Sequence, residues 1–220
     1  MKKYFLAVFV LTALTVSKKA NAQQGFSVSV KATPQFSFLQ NSDDRDNSII
    51  DRKGTFNGNF GIGAGYNFTP SLGVGIDAVY SLQGQKYKFL GAGMGREINQ
   101  KLNYVKVPVY FTYTYNPDKP VSFIGKVGPQ VSFLTSSKLT DNNGNTLKSN
   151  TKDHFKDVTY GGMAAAGVQF KLDKRMYLTT MARFDYDFTN AEDKNDAFYP
   201  GRAKTYNMTA GLEVGLKYML

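Results

Sequence analysis

The stretch FNGNFGIGAGYNF, from Phe56 to Phe68, sorts its side chains by parity. Phe56, Gly58, Phe60, Ile62, Ala64, Tyr66 and Phe68 fall on one face. Asn57, Asn59, Gly61, Gly63, Gly65 and Asn67 fall on the other. Period-two alternation is the mark of a β-strand, and this run is about twice as long as a strand in a soluble domain. The pattern recurs. Phe26, Val28, Val30, Ala32, Phe36 and Phe38 alternate with polar residues, as do Leu72, Val74, Ile76, Ala78, Tyr80 and Leu82, with Val79 the exception on the polar face. Val105 to Tyr115, Val121 to Phe133, Val158 to Phe170, Met176 to Phe188 and Thr205 to Leu220 complete eight segments, the sixth with its GGMAAAG being the weakest.

The connectors alternate too. Thr69-Pro70-Ser71, NPDKP (Asn116 to Pro120) and KLDKR (Lys171 to Arg175) are short. Gln40 to Lys53, Gly84 to Gln100, Thr135 to Asp157 and Asn190 to Lys204 read as long polar links. Short turns at one rim and long loops at the other are the layout of an outer-membrane barrel. In hydrocarbon every backbone N–H and C=O must be paired within the protein, and a closed sheet achieves this without edges. The fold class expected is therefore all-β: an eight-stranded antiparallel up-and-down transmembrane β-barrel, with short periplasmic turns and long extracellular loops. Its apolar face meets lipid. Its other face lines a lumen just wide enough for side chains, where glycines such as Gly61, Gly63, Gly65, Gly73 and Gly75 relieve crowding. A mean hydropathy of −0.34 fits such a chain, because lipid-facing and lumen-facing residues average out. A soluble lipocalin-like barrel is the competing architecture, with the greasy face turned inward.

Residues 1–22 read as a cleaved signal peptide. Lys2 and Lys3 precede the apolar run Tyr4 to Val16, and Ala20-Asn21-Ala22 sets the cut before Gln23. The run is too short to span a bilayer as a helix. A short membrane anchor is the other reading. Residues 23–220 then form one domain. Of the net charge of +10, the leader carries four lysines, leaving +6. Export argues against nucleic acid as a partner for this charge, which reads as a solvated lysine-rich surface. The absence of cysteine excludes a disulfide framework, a thiol nucleophile and cysteine-ligated zinc.

Three stretches bear a resemblance to a known family: LNYVKVPVYFTY (Leu102 to Tyr113), FIGKVGPQVSFLTSSK (Phe123 to Lys138) and ARFDYDFTN (Ala182 to Asn190). The chain resembles the PorT-like outer-membrane β-barrels of Bacteroidota-type Gram-negative bacteria, similar in form to OmpA-like barrels. Lys106 stands where that family usually has a carboxylate, and Asp187 where it has glycine. The resemblance implies residence in the cell outer membrane and insertion by the barrel-assembly machinery. The closing residues EVGLKYML look like the assembly signal, with Glu213, Gly215, Tyr218 and Leu220 at its pattern positions.

Parity places nine charges on the interior face: Lys31, Asp77, Lys106, Lys126, Arg183, Asp185, Asp187, Glu213 and Lys217. Lone charges in a narrow lumen are costly, so opposite signs are expected to pair into a polar plug. The rival is a small pore for ions or solutes. Asp185 and Asp187 resemble an acid–base pair but face inward among cations, which favours a structural role. Barrel hydrolases need a serine or aspartate with histidine. The sole histidine, His154, falls in the longest link, so no catalytic residue is expected and the chain reads as non-enzymatic. GAGMG (Gly91 to Gly95) and GIGAG (Gly61 to Gly65) lack the lysine and the strand-to-helix setting of a phosphate loop. DNNGN (Asp141 to Asn145) lacks the closing glutamate of a calcium loop and reads as a turn. No metal and no cofactor is expected. The expected function is structural, adhesive or linked to secretion and assembly, and the expected state is a monomer. Partners are outer-membrane lipid and lipopolysaccharide, the latter through basic residues in loops such as SDDRDNSIIDRK and RAK.

Overall fold

A computed structural model of the chain describes residues 24–46, 50–90, 95, 97–193 and 203–220. The leader and its cleavage site lie outside the described residues, as do residues 47–49 of the first link, Arg202 of RAK and all of GAGMG but Gly95. Long alternating segments become strands. They are β1 (Gly25–Gln40), β2 (Ile50–Asn67), β3 (Leu72–Phe89), β4 (Glu97–Tyr115), β5 (Val121–Asp141), a short β6 (Thr146–Lys148), β7 (Val158–Lys171), β8 (Met176–Asp187) and β9 (Tyr206–Met219). All pairings are antiparallel. Each long strand pairs with the next. β4 pairs β5, and β9 returns to β1 from Ser27↔Met219 to Gln40↔Tyr206. Eight strands thus form a closed ring, with β6 as an added hairpin strand on β5.

The walls sort as parity predicts. Phe26, Val30, Phe56, Phe60, Ile62, Phe111, Phe123 and Val127 point outward and are half or more exposed, while Lys31, Gln35, Asn59, Asp77, Lys106 and Glu213 are buried. Exposed apolar side chains in this number suit hydrocarbon. No helix among the described residues is long and apolar enough to cross a membrane. Val79 is not a defect in the alternation. It fills the lumen, fully buried, in the space left by Gly61, where an added Cβ would stand 2.9 Å from its Cγ2.

Two expectations about the links change. Gly84 to Gln100 is mostly strand, because β3 and β4 continue to pair through Lys88↔Glu97. Thr135 to Asp157 is shortened likewise by β5, which runs to Asp141 and turns back through β6. Above the apolar band the greasy-outside pattern stops, with Lys86 and Lys88 on the outward positions and Tyr87 and Phe89 between them, yet the backbone ladder goes on. Bulges between Gly54 and Asn59 and between Asn103 and Tyr104 reset the facing at this height. The first link begins with a short helix, α1 (Ser42–Asp46), whose Asp43 and Asp44 N–H groups donate to Asn41 Oδ1.

Candidate functional site

The nine charges that parity places inside are all on the lumen wall, and most are joined. Lys31 Nζ donates to Asp77 Oδ2 at 2.6 Å, and Tyr110 Oη donates to Asp77 Oδ1 at 2.9 Å. Lys106 Nζ reaches Asp185 Oδ2 at 3.1 Å, while Arg183 Nε holds Asp185 Oδ1 at 3.0 Å. Arg183 Nη1 reaches Glu213 Oε2 at 2.8 Å, and Lys126 Nζ takes Glu213 Oε1 at 3.0 Å. The result is one chain of charge from β4 through β8 and β9 to β5, with a separate pair between β1 and β3. The ammonium groups of Lys31 and Lys126 also lie 5.6 and 5.3 Å from the Tyr110 ring centroid, in cation–π range.

Two of the nine depart from the expected ion-pair network. Asp187 meets no cation among the described residues. Its Oδ2 accepts from Thr159 Oγ1 at 2.8 Å and Asn207 Nδ2 at 2.9 Å. Position 187 ends β8, one rung above the cations, so neutral donors satisfy it. Lys217 has no ion pair or hydrogen bond among the described residues. It lies near the short-turn end of β9, four residues beyond Glu213. It lines a small cavity with Ser27, Ser29, Lys31, Tyr110 and Lys126.

The network's neutral partners are Tyr104, Tyr110, Gln130, Thr159, Asn207 and Thr209. Sequence reading missed them because it weighed only formal charge; the same parity rule puts each on the inner face.

Above the network a second layer of side chains lies across the lumen. Leu39, Leu102, Tyr104 and Leu134 form an apolar layer, and Phe155 from the β6–β7 link packs on it. Gln100 Nε2 donates to Ser137 Oγ at 2.9 Å and to Thr151 Oγ1 at 3.0 Å. Lys156 N–H donates to Ala191 O at 2.8 Å, and Ala191 N–H to Thr205 O at 2.7 Å. Asn41 Nδ2 donates to Thr205 Oγ1 at 2.7 Å. The described parts of three links are therefore stitched into one cap.

His154 is on the outer side of this cap, with Nε2 2.9 Å from Lys148 Nζ. DNNGN forms a turn: Asp141 Oδ1 accepts from Asn145 N–H at 2.8 Å and Oδ2 from Asn145 Nδ2 at 2.9 Å. Gly144 sits there at φ +86°, which side chains disfavour. Among the described residues no group of three His, Asp or Glu side chains is placed to hold a metal ion. Of the assembly-signal positions, Glu213 belongs to the charge chain, Gly215 faces the lumen and Tyr218 faces out. Leu220 N–H donates to Phe26 O at 2.9 Å, finishing the β1–β9 seam.

Residues 17–193 match the family described as outer membrane protein beta-barrel domain. The chain belongs to that family. Membership in the outer membrane protein beta-barrel domain family places it in the outer membrane, where the long-link rim of such a barrel is extracellular. Solved barrels share the fold. A major outer membrane protein from Thermus thermophilus is 16% identical over 88% of this chain and 98% of its own, with a TM-score of 0.50. Neisserial surface protein A is 15% identical over 89% and 97%, with a TM-score of 0.48. Ail of Yersinia pestis is 17% identical over 89% and 99%, with a TM-score of 0.44. No curated protein matches the sequence.

Proposed function

We propose that this chain is a closed, non-enzymatic barrel that serves a structural, adhesive or assembly-linked role, in the manner of the PorT-like proteins it resembles. The observation that carries this reading is the pair of side-chain layers set across the lumen. The charge chain through Lys106, Asp185, Arg183, Glu213 and Lys126 crosses it at mid-height, and the Phe155 cap covers it above. Eight strands leave little bore beyond what these side chains occupy. The pairing of Asp185 with Arg183 and Lys106 favours a structural over an acid–base role for that carboxylate. The Lys148 contact of His154 supports no nucleophile. In this reading Glu213, Gly215, Tyr218 and Leu220 also direct insertion by the assembly machinery, on the strand that closes the ring, and the protein works as a monomer.

The test is single-channel recording in planar bilayers. A quiet bilayer at steady potential is the expected result. Steady unitary currents that change when Arg183 is replaced would overturn the plug in favour of a small pore. Hydrolysis of outer-membrane lipid by the purified barrel, lost in His154→Ala, would overturn the non-enzymatic reading.

A further inference from the structure

The outer wall carries a second cluster of charge that the plug does not use. On β3 the outward residues Leu72, Val74, Ile76, Ala78, Tyr80 and Leu82 span ten residue steps. At about 3.3 Å per residue and a tilt of about 40° they span about 25 Å, the height of the lipid-facing band. The neighbouring strands end their apolar bands one outward rung below Leu82, on the rung Tyr80↔Val105↔Phe133. One outward rung higher stand Leu82, Asn103 and Ser136. The next is Gly84↔Lys101↔Lys138, and the one above it begins with Lys53↔Lys86.

Lys101 and Lys138 are thus directly opposed on adjacent strands, as are Lys53 and Lys86. Like charges in facing positions destabilise a sheet. Lys53 has Asp51 at 3.7 Å. Lys86, Lys101 and Lys138 have no ion pair among the described residues. Lys86 and Lys101 also line one shallow cleft with Asn99, Asn142 and Gly144. Its carboxylates, Glu97 and Asp141, sit at its upper edge: Glu97 faces Lys88, and Asp141 is engaged by Asn145. Basic residues therefore come first above the apolar band and acidic residues come after. The opposite wall lacks this order. There β8, β9 and β1 end in Tyr186, Phe188, Tyr206 and Phe38, with Tyr186 packed among Phe184, Phe188 and Tyr206.

Measured along the strands, the Lys101 Cα stands about 10 Å above the Tyr80 rung and the Lys86 Cα about 15 Å. Their flexible arms can lie down along the wall toward the interface. What meets them at that height is the phosphate layer of the outer leaflet. We propose that Lys86, Lys101 and Lys138, flanked by Lys53, form a docking surface for the phosphate groups of lipopolysaccharide on the β2–β5 wall. The anion relieves the facing like charges, and the aromatic opposite wall is left to neutral interface contacts. The proposal rests on the barrel's outer-membrane setting and stands whether or not the lumen conducts.

The test uses the full barrel folded into phosphatidylcholine vesicles doped with lipid A, extracted in mild detergent, with bound lipid A measured by mass spectrometry. The wild-type chain is expected to retain lipid A. The K86Q/K101Q/K138Q variant, shown to be folded by its heat-dependent gel shift, should lose at least about tenfold, since one lysine near an anionic surface contributes about fivefold. Replacement of the same three by arginine should preserve retention, as should K171Q/K174Q at the periplasmic rim. If the triple variant misfolds, Lys101→Gln and Lys138→Gln singly must each weaken retention. Retention within about twofold in a folded triple variant, or equal retention of dephosphorylated lipid A, would overturn the proposal. So would displacement of lipid A by inorganic phosphate, which marks a free-anion site, or binding of heparin with no binding of lipid A, which marks an extracellular glycan site.

Discussion

The upper and lower halves of the lumen are built on opposite plans. The upper half, from Arg183 to the cap, is filled by long polar and aromatic side chains in contact: Arg183, Gln130, Gln35, Tyr104 and Asn207 are all buried and bonded. The lower half is lined by Gly63, Gly65, Gly75 and Gly215, by Ser27 and Ser29, and by Lys217, which has no partner among the described residues. The upper half is held by specific polar contacts whose loss strands a charge. The lower half has fewer side-chain contacts, chiefly Lys31 and Tyr110 on Asp77 at its top, and keeps a cavity. A narrow barrel needs only one dense layer to close it, so density is concentrated where the charges can pair.

The largest test of that contrast is Arg183→Met. It leaves Asp185 with Lys106 alone and Glu213 with Lys126 alone, in a buried layer. Removal of one partner from a buried ion pair costs about 3–5 kcal/mol. Urea unfolding from lipid vesicles should show a loss of this size, and Glu213→Gln added to Arg183→Met should recover part of it. A loss under about 1 kcal/mol would mean the layer is hydrated and the upper half is no more specific than the lower.

Gly75→Ala probes the lower half. An added Cβ would stand 2.6 Å from the Tyr110 ring and 2.7 Å from its hydroxyl, which donates to Asp77. Overpacking of this kind costs about 1–3 kcal/mol. A cost below about 0.5 kcal/mol would show that the cavity absorbs the ring, making the lower half slacker still. Smaller again is Lys217→Met. With no pair to break, it should change stability by less than about 1 kcal/mol in either direction. Lys106→Met, by contrast, should behave like Arg183→Met. Equal losses for the two lysines would erase the distinction between the halves.

Much of this arrangement was legible in the sequence, because a barrel wall converts parity directly into inside and outside. The alternation in FNGNFGIGAGYNF and its repeats located the ring, the lipid face and the inner charges. Parity does not report height, and height decided the rest. Asp187 and Lys217 have the right face but lie above and below the layer where opposite charges meet. Strand ends were misjudged where charged residues take the outward positions, as at Lys86 and Lys138, since the greasy-outside pattern stops there while hydrogen bonding continues. The Phe155 cap arises from links without repeating pattern, so nothing in the order of residues announced that they fold inward.

The smallest effect belongs to neither half, and calibrates both. Asp141 closes the β5–β6 turn outside the membrane, and the Asn145 side-chain hydrogen bond holds its carboxyl below the usual aspartate range. A carboxyl with a depressed value stabilises the turn above its ordinary pKa of about 3.9 and loses that contribution as pH falls through the lower folded value. Protection of the Asn145 amide against hydrogen exchange should therefore persist at neutral pH and fade only in acid below the ordinary range. Asp141→Ala should abolish that protection while leaving the urea midpoint of the barrel where it was. If the same substitution lowered global stability as Arg183→Met does, the extracellular hairpin would be part of the barrel's cooperative unit. The dense layer would then extend from mid-lumen to the loop tips, rather than ending at the Phe155 cap.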